Sequence, residues 1–443
     1  MRTRPTISWS ELAGRAVGVW GLGVEGRANL ARLGTLGVIP VLVDDNPPEG
    51  GLDGRAVLAT AAGGLDALAG CEVVVKSPGI SRYGSEAEAL TAAGVALVGG
   101  LGLWLAEADR DRVVCITGTK GKSTTTAVAG HLLAGLGYRV VTGGNLGVPP
   151  WAPETPVEAD FWVVEVSSYQ ATDITTAPPV VAVTSLHPDH LPWHRGDPET
   201  YYADKLSLCR RPGADLTVAN GDSPLLRDRR AALGPRVEWV TAVEGDPSGW
   251  SAPLGLLGRH NLRNARIARA CLVALGVPEA ADDDALAKAA TGFAHLESRL
   301  RPVGEVDGVL FVDDSLSTNV LPTLAAVDAF PGRRVAVLVG GQDRGIDYAP
   351  LAEGLAARLG PTLAVVVGSE IAPRLRTALE AVEGGVEVAE REDLDAATRA
   401  AFEWARPGGV VLLSPAAPSF DRYRDYRARS AAFNAALTRL LRG

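Results

Sequence analysis

Cysteine is sparse in this chain of 443 residues: Cys71, Cys115, Cys209 and Cys271 stand far apart, three of them in apolar segments and none in a C-x-x-C pair. That spacing excludes a disulfide framework and leads to the expectation of a reducing, cytoplasmic setting. Long apolar runs are missing as well. None approaches the ~20 residues that a membrane-spanning helix needs. The opening MRTRPTISWSELAG has early arginines but no apolar segment behind them, so a secretory signal is not expected. Nor is there an excess of basic charge: 43 Lys and Arg against 52 Asp and Glu leave a net charge of −9, a field that repels polyanionic nucleic acid. No repeat period or low-complexity tract is present.

What the chain does have is length and apolar content, 47% hydrophobic, enough to fill roughly three cores at about 150 residues per domain. From residue 16, short β-branched runs alternate with alanine-rich helical stretches: AVGVWGLG, VIPVLVDD, CEVVVKSPG and VALVGG. The alternation restarts at RVVCITG and again at VLFVDDS, closing with a helical tail from about Asp421 to Arg442. This is the pattern of parallel sheets covered by helices. The reading is α/β with three domains: an N-terminal Rossmann-like domain over 1–100, a central P-loop-type parallel-sheet domain over 101–297, and a C-terminal Rossmann-like domain over 298–443. GVPPWAPETP and EGDPSGWSAP read as surface loops of the middle domain.

GLGVEGRA, directly after the first strand, matches G-x-G-x-x-G at Gly21, Gly23 and Gly26, and Asp44 and Asp45 end the next strand. By itself the motif leaves three readings open: a nicotinamide dinucleotide, another nucleotide or sugar phosphate, or a structural tight turn. VVCITGTKGKSTTT is more specific. It fails the common G-x-x-x-x-G-K-[ST] spacing, because the first glycine would fall on Ile116 inside the strand. Yet strand, glycine turn, Lys122, Ser123 and Thr124 stand in the order a nucleoside triphosphate needs. Amides from Gly118 through Thr119, Lys120 and Gly121 to Lys122 are expected to surround phosphate oxygens. Lys122 would neutralise β/γ charge, and Ser123 or Thr124 would meet Mg²⁺. The bland alternative is a glycine turn with an exposed lysine.

Glu165 in FWVVEVSSYQ, and Asp189 with His190 in VVAVTSLHPDHLPWH, fall at the carboxyl ends of strands, the edge where an open α/β sheet binds ligands. Glu165 reads either as a cation ligand or as an acid at a helix N-terminus. His187, His190 and His194 invite a zinc reading, but Pro188 and Pro192 preclude a helical i,i+4 pair and no thiol is near. Lys205, in YYADKLSL, reads from spacing as a solvated lysine on an amphipathic helix. Asn261 and Asn264 fall on adjacent turns of one helix, where amides serve equally as caps or as nucleotide contacts.

In order and spacing, GTKGKSTTT, GGNLG, EVSSYQ, DHLPWH, YYADKLSL, HNLRN, DDSLSTN, GGQDRG and LSPAAPSFDRYRDY together resemble the muramyl ligase family, ATP-dependent peptide synthetases of cell-wall precursor assembly. The resemblance runs along almost the whole chain. VVVKSPGIS and LSPAAPSFD are similar to the members that join glutamate to UDP-N-acetylmuramoyl-L-alanine. This resemblance implies an acyl phosphate made from ATP and attacked by the glutamate amine. It assigns the triphosphate to the 118–124 loop and ATP contacts to Asn264, Arg299 and Asp314. Two Mg²⁺ ions are implied, held by Ser123 and Glu165 and by His190 and a carbamylated Lys205. Lys122, His190 and Lys205 would be catalytic. The UDP part of the substrate would lie at Gly23 with Asp44 or Asp45 near the uracil, and the muramoyl part at Asn145. Ser167, Gln170, Thr318, Arg344, Ser414 and Phe420 would also bind substrate. A monomer is expected.

Departures from the family pattern concentrate at the incoming amino acid. DSKATN appears with Leu316 for lysine, Arg344 stands where lysine is usual, LPHR is LESR with Ser298 before Arg299, and DHxD has Pro192 in its acidic position. Arginine offers a planar fork where lysine offers a point charge. The changes resemble a divergent branch that adds L-glutamate, which is favoured over D-glutamate. A folylpolyglutamate synthetase, a nicotinamide oxidoreductase and a non-enzymatic ATP-binding regulator are the rival readings.

Overall fold

The computed structural model describes residues 5–145, 147–156, 158–242, 249–382 and 386–442; Leu146 of GGNLG and part of EGDPSGWSAP lie outside them. The chain divides into two compact units, Met1–Leu254 with Arg263–Phe293, and Gly255–Leu262 with Ala294–Gly443.

The first unit contains two sheets. Strands β1 (Val17–Trp20), β2 (Val41–Asp44), β3 (Leu58–Ala59), β4 (Val73–Lys76) and β5 (Ala96–Val98) pair in parallel in the order β3-β2-β1-β4-β5. Strands β6 (Val113–Thr117), β7 (Val140–Gly144), β8 (Phe161–Glu165), β9 (Val180–Val183), β10 (Leu216–Asn220) and β11 (Arg236–Val240) do likewise, in the order β11-β10-β9-β6-β8-β7. The central strands β1, β4, β6 and β9 are buried throughout, which is why they read as unbroken apolar runs. In the first sheet the chain leaves β1, builds outward through β2 to β3 and then crosses to β4; in the second it leaves β6 for the edge strand β7, returns to β8 beside β6 and then crosses to β9. The loops after β1 and β6 therefore sit at topological switch points, where ligands of open α/β sheets bind. One continuous apolar core joins the two sheets. It runs from Trp9, Val17 and Leu33 through Leu101 and Leu105 of the buried helix Gly100–Glu107 to Val113, Ile174 and Val181.

The second unit carries a third sheet, β12 (Arg301–Val306), β13 (Val309–Asp313), β14 (Val335–Val339), β15 (Thr362–Val367), β16 (Glu387–Arg391) and β17 (Val410–Leu413), in the order β12-β13-β17-β14-β15-β16. Five strands run parallel and β12 is antiparallel to β13. That hairpin goes beyond the expected pattern. Asp307 and Gly308 both take positive φ, 47° and 76°, as a two-residue hairpin turn that follows the right-handed twist of its strands requires. The terminal helix is shorter than expected, Tyr426–Arg442, because the Asp425 side chain accepts the Ala428 amide at 2.8 Å and so caps it. The architecture is α/β, with three parallel-sheet domains. Among the described residues no helix is long and apolar enough to cross a membrane.

Candidate active site

The loop after β6 is held from both sides. Gly118 has φ 139°, and a Cβ there would lie 2.2 Å from Thr184 Oγ1; Gly121 caps the helix Lys122–Gly135 at φ 92°, and its Cβ would meet Asn264 Oδ1 at 2.7 Å. Both positions exclude a side chain, so the glycines are demanded by space as well as by backbone. The Thr119 amide donates to Ser185 O (2.9 Å) and the Lys120 amide to Ser185 Oγ (2.8 Å). These two of the five expected cradle amides are thus committed to the end of β9, which fixes the loop without forming the cradle itself. Lys122 folds back, its Nζ donating to Gly118 O at 3.0 Å and Thr119 O at 3.3 Å. The exposed-lysine alternative does not hold for it, since it is partly buried. Ser123 and Thr124 are buried in the first helical turn.

Lys205 corrects the reading from spacing. On the helix Pro198–Leu206 it points inward, only 2% exposed, and its Nζ donates to the same Gly118 carbonyl at 3.0 Å. Burial, reinforced by the nearby Lys122 charge, pushes its amine well below the usual lysine range. Glu165 ends β8, paired directly with β6 through Ile116, and so lies at the edge that carries the loop. Asn145 donates to Glu165 Oε1 at 2.8 Å, while the buried Oε2 has no hydrogen-bond partner among the described residues. An orphaned, buried carboxylate oxygen beside a phosphate-type loop fits a hard cation, whose ligands are oxygens. Asp189 pairs with Lys120 at 3.1 Å; burial raises its carboxyl, but the Lys120 and His190 charges and their hydrogen bonds together outweigh this and hold it below the usual range. His190 packs against Tyr169 and is pushed down by burial, partly offset by Asp189. His194 commits both ring nitrogens, to Asp204 and to Ser168, and so is not available for a zinc shared with His187 and His190.

At the first loop a Cβ on Gly26 would come within 1.9 Å of Gly21 O, whereas Gly23 faces open space. One glycine thus serves packing and the other leaves the backbone approachable. Asp44 braces this loop, accepting the Leu22 amide at 2.6 Å and the Asn46 amide at 2.9 Å; Asp45 accepts from Thr60. Ser167 and Gln170 form a capping box at the helix Ser168–Ala171, and Gln170 donates to Glu25 Oε1 at 2.5 Å. Glu25 follows the open glycine by two residues, and burial pushes its carboxyl up to about 7 against the pull of Gln170.

In the second unit, Asp314 and Ser414 directly follow neighbouring strands, and Ser414 Oγ donates to Asp314 Oδ2 at 2.8 Å while the Leu300 amide donates to Oδ1 at 3.0 Å. Burial pushes Asp314 up to about 7 despite these bonds. Arg299 and Thr318 are partly buried, Arg344 is exposed, and Phe420 is 58% exposed. Sequence reasoning missed Arg429. It is buried on the terminal helix and donates to Ser315 O (2.8 Å), Ser315 Oγ (3.1 Å) and Ala417 O (3.0 Å), pinning the two loops that carry Asp314 and Phe420. No local signal separates it from the other arginines of YRDYRARS.

Two family models match the chain: the Mur ligase middle domain over residues 116–246 and the Mur ligase glutamate ligase domain over 298–417. A UDP-N-acetylmuramoyl-L-alanine--L-glutamate ligase from a Micromonospora species is 42% identical over 446 residues, 96% of each chain. This chain belongs to the Mur ligase family. A second Mur ligase of the same description, from Salinispora tropica, is 40% identical over 96% of this chain and 97% of its own. Among solved structures, MurF from Acinetobacter baumannii shares the fold at a TM-score of 0.59 with 17% identity, covering 99% of this chain and 93% of that one.

Proposed function

We propose that this Mur ligase adds L-glutamate to UDP-N-acetylmuramoyl-L-alanine, with ATP and Mg²⁺, in peptidoglycan precursor synthesis. The names of full-length relatives near 40% identity support L-glutamate over D-glutamate. The observation that carries the mechanism is the convergence of Lys122 and Lys205 on one carbonyl, Gly118 O, beside the unpartnered oxygen of Glu165.

An amide does not form from a carboxylate and an amine in water without activation. In our reading the alanyl carboxylate takes the γ-phosphoryl of ATP, ADP leaves, and the glutamate amine displaces phosphate from the acyl carbon. Lys122 turns from Gly118 to the β/γ-phosphates and neutralises the charge spread over them in the transition state. Gly118, Thr119, Lys120, Gly121, Ser123 and Thr124 shape the triphosphate site, with Asn264 packed behind Gly121. Glu165, Ser123, His190 and Lys205 would hold magnesium, which when bound supplies charge neutralisation between phosphate oxygens. Two ammonium groups at one carbonyl repel, and burial together with the Lys122 charge favours the neutral form of Lys205. A neutral amine adds CO₂, forming an N–C bond and releasing a proton, and the resulting carbamate replaces a donor-only ammonium with anionic oxygens. We therefore assign Lys205 as carbamylated and two cations as the working complement.

Gly23, Asp44 and Asp45 are assigned to the UDP end, Asn145, Ser167 and Gln170 to the muramoyl end, and Arg299, Asp314, Thr318, Arg344, Ser414 and Phe420 to ATP and the incoming glutamate. We assign domain limits of 1–100, 101–297 and 298–443 and a monomeric working form, to be checked by light scattering. All four cysteines are free and buried, which fits a reducing cytoplasm.

The test is ADP release by the full chain with UDP-N-acetylmuramoyl-L-alanine and L- or D-glutamate in parallel. Release that requires both substrates and prefers L-glutamate is expected. Preference for D-glutamate would return the pocket to the commoner stereochemistry, and release without either substrate would remove the ligase reading. Lys122→Ala should lower turnover by about 10³-fold with its circular dichroism spectrum unchanged.

A further inference from the structure

Behind the residues assigned to the cation runs a chain of hydrogen bonds that the reaction itself does not use. His194 Nδ1 lies 2.7 Å from Asp204 Oδ2, its Nε2 lies 3.1 Å from Ser168 Oγ, and Tyr83 OH donates to Asp204 Oδ1 at 2.5 Å. A carboxylate only accepts, so Nδ1 carries a hydrogen. The serine hydroxyl donates to or accepts from Nε2 as the ring requires, so both bonds survive in either protonation state. The ring is held between Tyr169, stacked at 5.7 Å, and the edge of Tyr201 at 5.1 Å.

Each member stands beside a proposed cation ligand. Ser168 is three residues past Glu165, His194 closes the short turn Leu191–His194 that follows His190, and Asp204 immediately precedes Lys205. Three segments that must deliver one ligand each are therefore tied together at a single imidazole. Tyr83 adds a fourth, the segment after β4 that also carries Arg82.

We propose that Tyr83, Asp204, His194 and Ser168 form a positioning relay that sets the separation of Glu165, His190 and Lys205 and so governs affinity for a divalent cation. The proposal rests on the ligand assignment made above. Residues that orient metal ligands from behind typically change metal affinity by about 10- to 100-fold when altered. The same Ser-His-Asp order occurs in acyl-transfer triads, but there the serine must be open to substrate. Here Ser168 is 3% exposed and His194 fully buried.

The experiment titrates Mn²⁺ into the full chain with a non-hydrolysable ATP analogue, read by electron paramagnetic resonance, for wild type, Glu165→Gln, His194→Asn, Asp204→Asn, Ser168→Ala and Tyr83→Phe. His194→Asn and Asp204→Asn should weaken Mn²⁺ by about 10- to 100-fold, and Ser168→Ala and Tyr83→Phe by a few-fold, with thermal melts close to wild type. If His194→Asn does not fold, the two variants that lose one hydroxyl each decide the matter. Unchanged affinity in folded relay variants alongside a weakened Glu165→Gln overturns the relay and spares the ligand assignment; unchanged Glu165→Gln overturns both. Labelling of Ser168 by a fluorophosphonate would also overturn it, in favour of an acyl-transfer serine. The readout needs neither muramoyl substrate nor glutamate, so it is independent of the ADP assay.

Discussion

Lys76 and Lys205 are withdrawn from solvent to the same depth, 0% and 2% exposed, yet they are partnered differently. Lys76 ends β4 and meets Asp173 at 2.6 Å, and Arg82 reaches the other oxygen of that carboxylate at 2.5 Å. Lys205 has a carbonyl, the face of Tyr201 and a second lysine nearby. Burial lowers both amines, but Asp173 opposes the fall at Lys76 whereas Lys122 deepens it at Lys205. A buried lysine matched to a carboxylate is helped to keep its charge and ties the first two sheets of its unit together. One left beside another cation is pushed further toward its neutral form. The difference lies in what faces each ammonium, not in depth.

Removing the carboxylate should break the first half of this comparison most severely. Asp173→Ala strands Lys76 without a counter-charge and should cost about 3–5 kcal/mol in denaturant unfolding. The double variant Asp173→Leu with Lys76→Met, which removes both buried charges, should recover part of that loss. Burial raises Asp173, but Lys76 and Arg82 outweigh it, so its folded value lies below the usual carboxylate range. The clamp is therefore fully present above about pH 3.9, the unfolded value, and is lost as pH falls through the lower folded value. An acid melt of wild type against Asp173→Ala should show the gap closing only in that window.

The second half of the comparison is broken by Lys205→Ala. Turnover should fall by about 10²-fold or more, while the melting temperature stays level or rises, since a buried amine with no carboxylate ion pair among the described residues is removed. Bicarbonate labelled with ¹³C should give a carbamate resonance in wild type that is absent from Lys205→Arg. A melt that collapses with Lys205→Ala would make this lysine structural, like Lys76.

Glu25 sharpens the contrast with the smallest effect. It feels both Asp173 and Lys76, yet burial dominates and raises it to about 7. The folded chain then holds a proton between about pH 4.5 and 7 that the unfolded chain has released, so stability falls as pH rises through that window. Glu25→Gln should be more stable than wild type at pH 8, by on the order of 1–2 kcal/mol, with the gain vanishing near pH 4.5. A pH-independent difference would mean that packing, not charge, sets the effect.

Much of the site was legible because it is local. Gly21, Gly118 and Gly121 take positive φ and Gly26 packs on the Gly21 carbonyl, all local demands, although the atoms crowding Gly118 and Gly121 come from Thr184 and Asn264; the strand ends next to Glu165 and Asp314 follow from apolar runs. The Asp307-Gly308 hairpin and the Asp425 cap were not anticipated, although both rest on local turn and cap chemistry. Lys205 was not readable. Its spacing fits a wet helical face, and only its packing against Gly118, 87 residues away, reverses that. Asn145 and Asp44 stood out as substrate contacts, but their internal bonds, to Glu165 and Leu22, are invisible in one dimension, whereas the Ser167–Gln170 capping box is a local motif.

By itself the sequence determined which chemical groups exist, their order along alternating strands and helices, and the turns that only glycine can make, because these depend on neighbours a few bonds away. The tertiary structure decided which of two buried lysines meets a carboxylate, which oxygen of Glu165 is left without a partner among the described residues, and which histidine is spoken for. Those outcomes depend on desolvation and on partners brought in from distant segments, and an ion's state follows from its surroundings rather than from its place in the chain.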